Sequence, residues 1–140
     1  MSVKNTLDGS FPIAINSENV PITLTYSGLI TATYPSIYTK IGSMCILYLP
    51  SLNQTPSALT PSPILITIPD EIIPVQSQNI RGISVNDANG TQITLLQLVS
   101  GSNVFTLGLD DGTIPPDGFS NISPVSITRF MYIIYEVNIS

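Results

Sequence analysis

Ile83-Ser84-Val85-Asn86-Asp87-Ala88-Asn89-Gly90-Thr91-Gln92-Ile93-Thr94-Leu95 is the stretch that decides the fold class. Two short segments rich in β-branched residues flank Asn89-Gly90, and both of these residues tolerate the positive φ of a type I′ turn. The stretch reads as a β-hairpin. Ser100-Gly101-Ser102 joins residues 91–99 to residues 104–109 in the same manner, so residues 80–109 form an antiparallel meander.

Working outward, segments of the same kind recur at residues 12–16, 22–26, 29–34, 37–41, 44–49, 64–68 and 127–139. No window of helical length repeats apolar side chains at i, i+3, i+4 and i+7 without a proline, a glycine or a β-branched run intervening. The expectation is an all-β chain of about eight to ten strands, arranged as a two-sheet antiparallel β-sandwich of jelly-roll type. Gly42, alone between two strand segments, marks a bulge within one longer strand. Residues 50–63 carry Pro50, Pro56, Pro61 and Pro63 and read as a loop that crosses between the sheets. Residues 1–10 are expected to be a flexible N-terminal arm and residues 11–140 a single β-sandwich domain.

Alternation separates strands with one wet face from strands buried on both. Thr91-Gln92-Ile93-Thr94-Leu95 alternates, as one wet face requires. Met44-Cys45-Ile46-Leu47-Tyr48-Leu49 and Phe130-Met131-Tyr132-Ile133-Ile134-Tyr135 do not: every position is apolar or amphipathic. A sandwich gives each sheet a single inward face, so the second face of these strands needs other cover. A neighbouring copy of the chain supplies it most simply, with the loop over residues 50–63 as the alternative. Tyr38, Met44, Ile46, Tyr48, Phe130, Tyr132 and Tyr135 are the candidate subunit-interface residues, the tyrosines offering large area with a hydroxyl for a wet rim.

Composition excludes much else. Only 9% of the 140 residues are charged, against about a quarter in an ordinary soluble domain, and the surface must be covered by Ser, Thr, Asn and Gln. With four basic residues, Lys4, Lys40, Arg81 and Arg129, and a net charge of -5, no patch can neutralise several phosphates, so nucleic acid is not an expected partner. The N-terminus has no apolar signal core, and no run approaches the ~18 apolar residues of a membrane helix, so a soluble product without a signal peptide or membrane insertion is expected. Sequons at Asn53, Asn89, Asn121 and Asn138 follow from a composition rich in Asn, Ser and Thr.

Catalytic chemistry lacks its usual parts. The chain has no histidine and one cysteine, Cys45, in an apolar run, which removes Ser-His-Asp and Cys-His arrangements and zinc sites. No phosphate-binding glycine loop and no nucleophile elbow occurs. Asp110, Asp111 and Asp117 lie near enough in sequence for one loop to offer oxygen ligands to a hard cation, although their order does not match an EF-hand and a solvated turn is the plainer reading. Asp70 or Glu71 with Asp87 is an example of a glycosidase-like pair of acids that spacing alone allows, and Asp70-Glu71 reads more simply as a turn after Pro69. The expected protein is not an enzyme and holds no cofactor or metal.

Tyr38-Thr39-Lys40-Ile41-Gly42-Ser43-Met44 resembles a Y-x-K-I-G-x-hydrophobic segment of phage tail-fibre C-terminal head domains. In those domains an apolar strand follows, then a turn and a short apolar strand ending in proline, which Cys45 to Leu49 and Ile64-Leu65-Ile66-Thr67-Ile68-Pro69 match; residues 130–137 look like their closing aromatic strand. The resemblance implies a viral trimeric jelly roll of the tumour-necrosis-factor-like kind, with strands near the threefold axis buried on both faces. It further implies a virion-associated structural or receptor-facing role, with partners among its own copies, other virion proteins and a host-surface glycan. The alternative is a monomeric carbohydrate-binding or adhesin module in which Tyr26, Tyr34 or Phe119 stacks on sugars.

Overall fold

Short β-branched segments between turn residues build strands, and a computed structural model of the chain shows them for residues 2–5, 13–16, 19–28, 30–54, 62–87, 90–119, 125–127 and 131–139. Ser2–Asn5 (β1) pairs with Ile13–Asn16 (β2) as a small sheet of its own. The other strands are Asn19–Gly28 (β3), Ala32–Ile41 (β4), Met44–Leu49 (β5), Leu52–Gln54 (β6), Ile64–Thr67 (β7), Gln78–Asp87 (β8), Gly90–Leu98 (β9), Val104–Leu109 (β10), Val125–Ile127 (β11) and Met131–Glu136 (β12). They form one continuous sheet in the order β12-β5-β4-β3-β7-β10-β9-β8-β11-β6, antiparallel throughout and curled into a half-barrel. The described residues hold no α-helix; a 3-10 turn at Asp70–Ile72 is the single helical element.

The curl follows from one ribbon. β5 runs against β12 from Leu49↔Met131 to Met44↔Glu136, while β6 runs against β11 from Leu52↔Ile127 to Gln54↔Val125. Pro50 and Ser51 alone separate β5 from β6. Pro50 has no N–H to give a ladder, so pairing stops there and resumes after a bend. The same two chain segments thus supply both ends of the sheet, which two intervening residues can join only if the sheet curls.

The interior is the concave face. Leu24, Tyr26, Leu47, Ile64, Ile66, Leu96, Phe105 and Leu107 have no exposure, and Cα pairs such as Tyr26↔Ile66 and Phe105↔Ile66 put them on one side of the sheet. Each such side chain contributes roughly 1.5–3 kcal/mol by leaving water. Phe105 meets Tyr135 edge to face with ring centroids 5.6 Å apart, and the Tyr135 hydroxyl donates to the Ile72 carbonyl at 2.8 Å. The Tyr26 and Tyr34 rings meet at a tilt of 59° with centroids 5.0 Å apart, both hydroxyls buried and unpartnered among the described residues; burial, then the neighbouring Tyr34 and Tyr48, pushes the Tyr26 phenol up.

Several expectations are corrected. Gly42 is not a bulge: with φ 60 it opens the two-residue turn Gly42-Ser43, and Ile41↔Met44 closes a hairpin. Residues 29–34 and 37–41 do not form two strands, because β4 runs through Pro35. A proline is tolerated there because β5 pairs with β4 only from Tyr38 onward; Pro21 likewise sits in the half of β3 that β7 does not reach. The loop expected over residues 50–63 contains β6, and residues 55–61 lie outside the described residues. Of the last strand expected over residues 127–139, the described residues hold β11 to Ile127 and β12 from Met131 to Glu136, and residues 128–130 lie outside them.

Candidate functional site

The outward face of β4, β5 and β12 is the candidate site. Cα partners in an antiparallel pair share a face, so Tyr132↔Tyr48, Ile134↔Ile46, Glu136↔Met44, Thr39↔Ile46 and Ile41↔Met44 all project away from the core. Tyr132 is 65% exposed and Ile134 54%, with Met44, Ile37 and Ile41 also exposed and Ile46 and Tyr48 half-buried. The Tyr48 and Tyr132 rings lie 5.3 Å apart at a tilt of 49°. Glu136, at the end of β12, is the acidic member of the face. An exposed apolar face of this kind is unusual on a lone domain.

Of the residues singled out from the sequence, Met44, Ile46, Tyr48 and Tyr132 come together here. Tyr38 and Tyr135 do not: they belong to the alternate, inward set and are buried in the core. Burial, then Glu71 and Cys45, raises the Tyr38 phenol, and burial above all raises that of Tyr135. Phe130 lies outside the described residues. Ile134, Ile37 and Ile41 belong to the face as well; Ile134 stood in the apolar run already noted, and Ile37 and Ile41 are found by the period-2 rule once β4 is known to be one strand.

The acidic loop is not an open ligand cage. Arg81 Nε donates to Asp110 Oδ1 at 3.3 Å, and the Asp110 N–H donates to the Ile93 carbonyl at 3.1 Å. Asp111 Oδ1 accepts from the Thr113 N–H at 3.0 Å and from Thr113 Oγ1 at 2.6 Å. The Asp117 carboxyl donates to Asp111, and this bond, with those from Thr113, holds Asp111 down at about 2; sharing that proton raises Asp117. Among the described residues no three His, Cys, Asp or Glu side chains are grouped to hold a metal ion. Asp70 and Glu71 stand exposed on the 3-10 turn, and Asp87 closes β8.

Instead the loop is a cover. The Leu109 N–H donates to the Asp117 carbonyl at 2.8 Å, folding residues 110–117 back on β10, and Pro116 is buried. A Cβ on Gly108 would land on the Asp117 carbonyl oxygen, so this close approach requires glycine. Leu95, paired with Gly108 and pointing outward, consequently has no exposure.

One further expectation changes. Tyr26 and Phe119 have no exposure and are unable to stack on a sugar. Cys45 is buried on the inward face of β5, where burial pushes its thiol up, away from the reactive thiolate. No helix among the described residues is long and apolar enough to cross a membrane. The chain matches no protein-family model and no curated protein.

Proposed function

We propose that this chain is a non-enzymatic, virion-associated structural or receptor-facing protein that assembles with its own copies into a homotrimeric, fibre-head-like jelly roll, the two halves of the curled sheet acting as the two layers. The observation that carries the reading is the open apolar face of β4, β5 and β12, with Tyr132 and Ile134 more than half exposed in a single chain. A surface of isoleucine, methionine and tyrosine with so little charge is suited to another protein surface of the same kind; it offers a phosphate no cationic partner. The aliphatic members also distinguish it from a sugar platform, which uses aromatic rings among hydrogen-bonding side chains. The resemblance around Tyr38 to Met44 supplies the threefold and the virion setting.

Light scattering on the full-length protein at micromolar concentration tests the assembly: the expected mass is a multiple of three times the 15.0 kDa chain. A monomer mass overturns it. Ile46→Lys, which places an ammonium in the middle of the face, is expected to break the threefold while leaving the far-UV spectrum unchanged. A glycan array probed with the assembled protein separates a receptor-facing part from a purely architectural one.

A further inference from the structure

The backbone of β12 carries a second, separate surface. The Val137 N–H donates to the Ser43 carbonyl at 2.7 Å, which makes Val137–Ser43 a hydrogen-bonded pair in the ladder between β12 and β5. Bonded and non-bonded pairs alternate along an antiparallel ladder. Tyr135, Ile133 and Met131 therefore aim their N–H and C=O groups at β5, whereas Glu136, Ile134 and Tyr132 aim theirs at the opposite side, the edge of the sheet. The Val75 N–H reaches the Glu136 carbonyl from that side at 3.0 Å, as this phase requires. Pro74 and Val75 thus occupy the edge at Glu136, and Pro74 bridges Val137. No described residue pairs with the edge-facing groups of Tyr132 and Ile134. These are also the two residues of the candidate face whose side chains are most exposed.

A strand that is apolar and uncharged over residues 131–135, with edge groups that no described residue pairs, is a template for strand addition, and soluble proteins normally protect such edges with charge, proline or a bulge. We infer that this edge pairs with the same edge of a second copy, antiparallel about a twofold axis at Ile133. The five residues are self-complementary in that arrangement. Tyr132 falls opposite the partner subunit's Ile134, Met131 opposite the partner subunit's Tyr135, and Ile133 opposite its own equivalent. Every off-axis pair sets an aromatic or thioether side chain against a complementary one, the kind of cross-strand contact that stabilises a sheet. Tyr132 and Ile134 become hydrogen-bonded pairs and exchange four backbone bonds. Charge does not oppose the contact: residues 131–135 carry none, and the two Glu136 carboxylates lie six residues apart along the ladder, about 20 Å, beyond the Debye length of about 8 Å.

The inference rests on the self-assembly proposed above and specifies its second contact, made by backbone groups at an edge and not by side chains on a face. Ile134→Pro separates the two, because it deletes an edge-facing N–H and no bond to β5. In the full-length protein it is expected to halve the assembly mass with the far-UV spectrum retained, while Ile134→Val, which keeps the N–H and a β-branched aliphatic side chain, retains slowed exchange of the Tyr132 amide. Tyr132→Pro repeats the test at the second position should the first variant not fold. In the wild type, hydrogen exchange of the Tyr132 and Ile134 amides is expected to be slowed at least tenfold on assembly. Fast exchange of both amides in the assembled protein overturns the inference, as does an unchanged mass for folded Ile134→Pro. A threefold assembly that Ile46→Lys breaks and Ile134→Pro spares leaves the face reading standing and the edge contact refuted; a lone subunit with both amides unprotected refutes the two together. Protection that appears only with a foreign peptide and never between copies also counts against the twofold contact.

Discussion

The outward faces of β9–β10 and of β5–β12 begin from the same problem and solve it differently. Both carry apolar side chains on the side of the sheet away from the core: Leu95 on β9, and Ile46, Tyr48, Tyr132 and Ile134 on β5 and β12. Leu95 has no exposure, because residues 110–117 fold back over Gly108 beside it. Tyr132 and Ile134 keep 65% and 54% of theirs. A short loop with a glycine beneath it can hide one leucine, but it cannot hide a ribbon of alternating isoleucines and tyrosines two strands wide. Such a ribbon needs a surface of its own size, which the proposed assembly supplies from another copy.

Paired truncations break this contrast most directly. Leu95→Ala is expected to lower the stability of the isolated subunit by about 2–5 kcal/mol, since the covered site is filled on all sides. Tyr132→Ala is expected to change subunit stability by less than about 1 kcal/mol while lowering the assembly mass. Urea denaturation of dilute protein beside light scattering of concentrated protein checks both. Equal losses of stability at the two positions would mean that the open face is already covered within one chain.

Gly108→Ala sharpens the covered side. The new methyl group meets the Asp117 carbonyl, so the loop must lift, at an expected cost of about 1–3 kcal/mol, with Leu95 exposed to solvent. Faster exchange of the Leu109 amide, which donates to Asp117, is the signature. Arg81→Ala removes a partly exposed ion pair to Asp110 and is expected to cost about 0.5 kcal/mol, read from the shift in urea midpoint. A much larger loss would show the pair to be a main fastening of the loop.

The smallest effect concerns pH. Asp117 is raised in the folded protein, so its contribution is complete below the unfolded value and fades as pH rises through the folded one. Asp111 is lowered to about 2, so its contribution is complete above the unfolded value and fades as pH falls toward about 2. The loop is therefore best held in mildly acidic solution, with one proton shared by the pair, and loosens slightly toward neutrality. Asp117→Asn keeps a donor at every pH and is expected to remove that loosening, seen as a flatter melting temperature between pH 4 and 7. Identical pH profiles for the two proteins would dissociate the acid pair from the cover.

Strand identity was written locally. Residues 44–49 and 104–109 are strands with the same bounds in sequence and structure, because short runs dominated by apolar, aromatic and β-branched residues between turn residues leave the backbone few alternatives. The apolar doubling of β5 and β12 was equally legible, and four of the seven residues singled out, Met44, Ile46, Tyr48 and Tyr132, lie on the open face. Phase was not: a run apolar at every position does not say which half faces the core, and the register with β4 and the Phe105 contact turned Tyr38 and Tyr135 inward. Pro35 misled for a related reason, since whether a proline breaks a strand depends on whether a neighbour needs its missing N–H.

By itself, then, the chain determined that it would be strands and that two segments carry more apolar surface than one sheet face can hide. Only the tertiary structure decided that Pro50 bends one ribbon across both ends of a curled sheet, that the acidic loop is a lid over Leu95, and that the free edge and the open face meet at Tyr132 and Ile134. The reason is range: strand formation and turns are settled by neighbours in sequence, whereas pairing partner, phase and cover are settled by residues tens of positions away, whose approach no local pattern records.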